Sequence, residues 1–216
     1  DTSRIPLNAH SIKQGETKLL YGDDFVFLPA ESAEEAAQII RTEFQKQVAQ
    51  YGLENTQVLT PFRVKSDAGA GMLNRSLREM INPCTDKRLE AVFGSRTIRY
   101  KDKVMQTKNM EEVSNGDIGF VSMIDKDDEF PVTVTFSDNR IKQYSTDDLN
   151  CIDLAYATTI HKSQGSEYDA VIIPITGFTK NLLYRNLLYT GVTRAKKTLI
   201  IIGTKELVKI MVDNDR

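Results

Sequence analysis

A chain of 216 residues is long enough for one sizeable core or for two small domains, and 40% hydrophobic with 27% charged residues at a formal net charge of −2 is the composition of an ordinary globular protein. Those values exclude a disordered chain and a protein coated in positive charge, while leaving room for a basic track along one face. No apolar run approaches the roughly 20 residues a membrane span needs, and the opening Asp1-Thr2-Ser3-Arg4-Ile5 has no apolar signal core.

The first residue is not Met, and the chain is expected to be a piece of a longer one. Cys84 and Cys151 lie far apart with no CxxC pair, so they read as reduced cytosolic thiols rather than metal ligands. Ser32-Ala33-Glu34-Glu35 is a capping box, in which the Ser hydroxyl and Glu35 satisfy each other's orphan amides, and it predicts a helix start. Ala36, Ile40, Phe44 and Val48 then recur every fourth residue, giving an apolar stripe that Gly52 ends. Residues 56–61 read as a short buried strand stopped by Pro61, and Gly71 to Ile81 as the next helix.

Between about Leu89 and Asn150 the texture changes to short β-rich runs: Thr97-Ile98-Arg99-Tyr100, Gly119 to Met123, and Val132 to Phe136. Turn clusters at Asn115-Gly116-Asp117, Asp125 to Asp128 and Ser137-Asp138-Asn139 separate them. A small antiparallel barrel inserted into an α/β domain is expected, with 1–88 and 151–216 as the two parts of that domain. The α/β texture returns with a strand near Ala170 to Ile173, a helix from Asn181 to about Thr193, a strand at 198–202, Gly203 as a turn, and a helix from Lys205.

Two strings carry chemistry. In Tyr156-Ala157-Thr158-Thr159-Ile160-His161-Lys162-Ser163-Gln164-Gly165-Ser166-Glu167-Tyr168, a turn rich in hydroxyls and amides lies between two apolar runs, where α/β proteins place ligands. Taken singly, each of these residues reads equally as part of a polar helix cap. In Asn186-Leu187-Leu188-Tyr189-Thr190-Gly191-Val192-Thr193-Arg194-Ala195-Lys196-Lys197, cations close an apolar helix just before a buried strand. A solvated cation capping the helix through its macrodipole is the structural alternative there.

The first string resembles motif V of the RecD/TraA branch of superfamily-one helicases, Thr-x-His-Lys-x-Gln-Gly-x-Glu, and the second resembles motif VI, Leu-Tyr-x-x-x-Thr-Arg-Ala. Val58 to Arg63 with Leu73-Asn74 is similar to motif IV, and Ser3-Arg4-Ile5 through Gly15-Glu16 to the segment after motif III. Tyr100 to Asn109 and Val113 to Gly119 are similar to the SH3-like subdomain of RecD-like helicases.

The resemblance implies a RecA-like α/β second motor domain interrupted by an SH3-like barrel, in an ATP-dependent DNA helicase of the cytoplasm moving 5′ to 3′ on single-stranded DNA. It places Arg194 on the γ-phosphate, where a guanidinium neutralises charge on the transferring group. It further gives Gly165 and Glu167 to the nucleotide, Gln164 to the nucleotide or to a place between the two sides, and Thr159, His161, Lys162, Arg63 and Asn74 to single-stranded DNA. The sequence has no Gly-x-x-x-x-Gly-Lys-[Ser/Thr] loop, and Asp127-Asp128-Glu129 lies in a polar turn rather than at the end of an apolar strand. ATP and Mg2+ are therefore expected to be held chiefly by an N-terminal RecA-like domain of the same parent, and this piece alone to be inactive. Other subunits of a RecBCD-like complex are further implied partners, and a membrane is not. A non-catalytic DNA- or protein-binding module, or the C-terminal half of a conjugative relaxase-helicase, stays open as an alternative.

Overall fold

The computed structural model describes residues 2–61, 63, 66–176 and 182–216, which divide into two compact units, residues 1–73 with 157–216 and residues 74–156. In chain order the first unit opens with α1 (Arg4–Lys13), β1 (Phe25–Pro29), α2 (Ala33–Tyr51) and β2 (Thr56–Thr60). Helix α3 (Ala70–Ile81) runs from it into the second unit. That unit holds β3 (Glu90–Phe93), β4 (Arg96–Arg99), β5 (Lys103–Gln106), β6 (Ile118–Ile124), β7 (Val132–Phe136), β8 (Ile141–Tyr144) and β9 (Ile152–Leu154). The chain then returns to the first unit as β10 (Ala157–Thr159), β11 (Tyr168–Ile175), α4 (Arg185–Val192), β12 (Ala195–Gly203) and α5 (Lys205–Asp213).

The first unit is built on a five-stranded parallel sheet in the order β1-β12-β11-β2-β10. Parallel strands covered on both faces must be apolar throughout rather than alternating. Val171, Ile172 and Ile173 of β11 and Leu199, Ile200, Ile201 and Ile202 of β12 are all buried accordingly. Phe25 of β1, Ile12 of α1, Leu188 of α4 and Met211 of α5 share one core with Val171, Ile173, Leu199 and Ile201.

Helix α2 begins at the expected cap, where Ser32 Oγ accepts from the Glu35 amide at 3.1 Å. The returning bond differs from expectation: the Glu35 carboxylate accepts from the amide of Glu31, not Ser32, at 3.0 Å. Gly203 is not a turn but the last residue of β12, paired with Ile175, and a Cβ there would stand 1.9 Å from the Ile175 carbonyl oxygen. Only glycine permits that approach. Helix α4 begins at Arg185; the expected helix start at Asn181 lies outside the described residues, as does Phe62 of the motif IV-like string.

The second unit is a five-stranded antiparallel sheet in the order β8-β7-β6-β5-β9, with the β3–β4 hairpin beside it in sequence. As a compact unit it spans residues 74–156. Strand β9 pairs with β5, and Arg78 in the second half of α3 donates to the Thr97 carbonyl at 2.7 Å, so both belong to this unit. Alternation decides its core: Val132, Val134 and Phe136 of β7 point inward, while Thr133 and Thr135 are half-exposed. Among its turns Asn139 takes φ 68° between β7 and β8, as its type favours, whereas Lys101 and Glu112 take φ 70° and 71° against theirs.

A polar knot ties this unit together. The Asp102 carboxylate, fully buried, accepts from the Tyr156 hydroxyl at 2.9 Å, the Asn82 amide at 3.0 Å and the Arg99 backbone N–H at 2.8 Å. The Arg78 guanidinium lies 3.7 Å away. Burial pushes the Asp102 pKa above the ordinary carboxylate value, against the pull of these donors, and pushes the Tyr156 hydroxyl up as well.

Candidate functional site

The segment from β10 to β11 was expected to form one polar crest at the end of a buried strand. Sheet register divides it instead. Thr159 pairs with Thr60, two residues beyond the Val58–Ile172 pair, so it stands near the carboxyl end of the sheet. Tyr168 pairs with Ala195, at the amino end of both β11 and β12. Residues 160–167 thus run from one edge of the parallel sheet to the other, and the candidate residues fall into two groups.

At the carboxyl edge, the Ile160 amide donates to the Thr60 carbonyl at 3.0 Å, which ties the exit of β10 to the exit of β2. A 3-10 turn, His161–Ser163, follows and is anchored by the buried Ser163, whose hydroxyl donates to the Ile160 carbonyl at 2.6 Å. The anchoring leaves His161 exposed and Lys162 half-buried beside it. The His161 Nε2 lies 3.2 Å from the Tyr184 hydroxyl, just before α4. Arg63 leaves the same edge from the neighbouring strand and is exposed. Its backbone carbonyl accepts from the Gly71 amide at 3.3 Å, and the Thr60 hydroxyl closes the loop onto the Ala68 carbonyl at 2.7 Å. Thr159, His161, Lys162 and Arg63 therefore share one edge. Asn74 has a different setting: it lies on α3, and its side-chain amide donates to the Leu154 carbonyl at 3.1 Å within the second unit.

At the amino edge stand Gln164, Gly165, Ser166 and Glu167 before β11, and Arg194 before β12. Gln164, Gly165 and Glu167 are exposed. Gly165 takes φ 84°, with no atom within 4 Å of where a Cβ would project, so the glycine serves the backbone turn and not a close contact. The Arg194 main chain is fixed by its neighbours, its carbonyl accepting from the Tyr168 amide at 2.9 Å.

The Arg194 guanidinium folds back onto its own unit. Nη1 donates to the Ser166 carbonyl at 3.0 Å, Nε to the Thr190 carbonyl at 3.3 Å and Nη2 to the Thr193 hydroxyl at 3.3 Å. All three acceptors are neutral. Among the described residues, the ion pairs of this edge join Lys196 and Lys197 to Asp169, at 3.7 and 3.9 Å, and none includes Arg194. Held by neutral oxygens, the half-exposed guanidinium has no carboxylate partner among the described residues, and two of its five N–H groups lie outside these three bonds. Beneath it Tyr168 is buried, and burial raises its hydroxyl pKa against opposing pulls from Ser166 and the Arg194 charge.

Sequence reasoning missed the group that holds Arg194. Ser166, which lies 28 positions away in the chain, and Tyr184 gave no signal at all. Among the described residues no three His, Cys, Asp or Glu side chains gather to hold a metal ion, and no helix is long and apolar enough to cross a membrane.

A family model described as the UvrD-like helicase C-terminal domain matches residues 154–202. A second, the ATP-dependent RecD-like DNA helicase SH3 domain, matches residues 73–136. The chain is 33% identical over 162 residues to the ATP-dependent RecD2 DNA helicase of Deinococcus radiodurans, which covers 74% of this chain and 22% of that protein. It is 36% identical over 95 residues to the RecBCD enzyme subunit RecD of Buchnera aphidicola, 44% of this chain and 16% of that one. The chain thus spans about a fifth of the length of these relatives or less. Among solved structures, Pif1 helicases described at forked double-stranded DNA share the fold at a TM-score of 0.52 and 16% identity, over 96% of this chain and 49% of theirs. Pif1 helicase from Candida albicans does so at 0.50 and 13% identity, over 95% of this chain and 55% of its own.

Proposed function

On the premise that the chain corresponds to the C-terminal part of a RecD-like superfamily-one helicase, we propose that it is the second motor domain of an ATP-dependent DNA helicase moving 5′ to 3′. ATP and Mg2+ are held chiefly by a first RecA-like domain of the same parent, and no ligand for the metal is assigned on this chain. When the two domains close, Arg194 meets the γ-phosphate and neutralises charge building on its oxygens. Gly165, Glu167 and Gln164 face the nucleotide, the Glu carboxylate accepting from a ribose hydroxyl. Thr159, His161, Lys162 and Arg63 take the phosphates of single-stranded DNA at the opposite edge of the sheet, and Asn74, in the second unit, is proposed as a further contact to the strand. Such contacts hold a strand without reading its sequence. Other subunits of a RecBCD-like complex are proposed partners of the parent, after the naming of relatives such as the Buchnera protein.

The observation that carries this reading is the Arg194 guanidinium, half-exposed beside the Gly165–Glu167 turn and bonded to neutral oxygens only. A guanidinium serving as a helix cap would leave catalysis untouched and contribute about 1 kcal/mol or less to stability. In the full-length parent, Arg194→Ala is expected to fold, to keep most single-stranded DNA binding, and to lose turnover of ATP by roughly a thousand- to a hundred-thousand-fold. Arg194→Lys should recover little, because one ammonium does not reproduce the planar fork. The 216-residue chain alone should hydrolyse no ATP. Near-normal ATPase in Arg194→Ala, or steady turnover by the chain alone, would overturn the reading.

A further inference from the structure

Arg194 is held by residues from two separate stretches of chain, and that arrangement has a consequence for how the motor is set. The Thr193 hydroxyl sits at the end of α4, 2.9 Å from the Tyr189 carbonyl and 3.0 Å from the Thr190 carbonyl, and it donates its single proton to that pair. Its oxygen then accepts from Arg194 Nη2. The hydroxyl therefore relays the rigid end of the helix to one arm of the guanidinium. The other arm, Nη1, is bonded to the Ser166 carbonyl, in the turn whose path Gly165 sets by its positive φ. With Nε on the Thr190 carbonyl, the planar group has three fixed points and no freedom to rotate without breaking one of them.

We infer that Thr193 is a positioning residue for Arg194, fixing the plane of its guanidinium between the end of α4 and the Ser166 turn so that nucleotide contacts at Gly165–Glu167 and the charge of Arg194 move together. The inference rests on the proposed role of Arg194. Thr193 touches no nucleotide in this scheme; it acts through the arginine, and Ser166 contributes by its main chain alone. A guanidinium swinging among several orientations meets the phosphate correctly for only a fraction of the time, and rate falls with that fraction.

The test is a double-mutant cycle in the full-length parent with Thr193→Val, which keeps the shape and removes the hydroxyl, Thr193→Ser, which keeps the hydroxyl, and Arg194→Ala. Thr193→Val is expected to lower kcat of the DNA-stimulated ATPase by about tenfold, the scale of one lost hydrogen bond to a charged group. The KM for ATP and the Kd for an oligo-dT strand should stay within about twofold, since neither ground-state site is touched. Thr193→Ser should recover most of the rate, and Thr193→Val should cost nothing more in an Arg194→Ala background. Unchanged kcat in Thr193→Val, failure of Thr193→Ser to rescue, or a full additional loss in the double variant would each overturn the inference while leaving the role of Arg194 standing. Near-normal ATPase in Arg194→Ala alone would instead remove the reading beneath it.

Discussion

Asp102, in the antiparallel unit, is fully buried and takes hydrogen bonds from Tyr156, Asn82 and the Arg99 main chain, with the Arg78 cation 3.7 Å away. Arg194, in the parallel-sheet unit, is half-exposed and spends its donors on neutral oxygens. Both are ionisable groups in dense hydrogen-bond networks, and residue type alone does not tell them apart. The difference is one of what is left over. The Asp102 network closes on itself around a group that water does not reach, so its return is structural specificity at a high desolvation cost. The Arg194 network brings no anion to the guanidinium and leaves two of its N–H groups outside these three bonds, which the proposed function gives to a phosphate.

The comparison breaks most readily at Asp102. Asp102→Ala would strand the Tyr156 hydroxyl, the Asn82 amide and the Arg78 cation in a buried site, and should destabilise the protein by about 3–5 kcal/mol. Denaturant unfolding followed by the spectroscopic signal of the β-rich unit would measure it. A loss below about 1 kcal/mol would mean that water replaces the carboxylate and that the knot is a surface feature after all. Arg194→Ala should show the reverse pattern, with near-native stability and collapsed turnover.

At the carboxyl edge the expected effect is smaller. Thr159→Ala with His161→Ala should weaken single-stranded DNA binding by the parent about tenfold, for two lost hydrogen-bonding contacts. The slope of affinity against salt concentration should stay unchanged, whereas Lys162→Ala should lower that slope by about 0.7 as one phosphate contact is given up. Titrations at several salt concentrations separate the two outcomes. If the slope moves with Thr159 and His161 and not with Lys162, the edge has been misassigned.

The smallest expected effect is at Gly165. Because no atom lies within 4 Å of an added Cβ, Gly165→Ala should cost about 1 kcal/mol through left-handed backbone strain alone. The thermal unfolding midpoint of this chain would report it. A stability unchanged within error would show that the turn relaxes to negative φ and that the glycine is dispensable to the fold.

Sequence by itself determined the elements whose signals are local. The Ser32 cap and the four-residue stripe to Gly52 fixed α2, apolar runs marked β11 and β12 as strands, and turn clusters set off β6 and β7. The two polar strings were legible because their residue types follow one another without a gap. Short or amphipathic pieces without such signals, α1, β1 and the three-residue β10, went unassigned, since each exists only by packing or pairing with distant partners. Tertiary structure alone decided that residues 160–167 run from one sheet edge to the other, that β9 and the second half of α3 belong with the antiparallel unit, and that Ser166 meets Arg194. The reason is physical. Period and capping are encoded within a few residues along the chain, whereas register between strands and the partner of a side chain depend on which distant segments the core brings together.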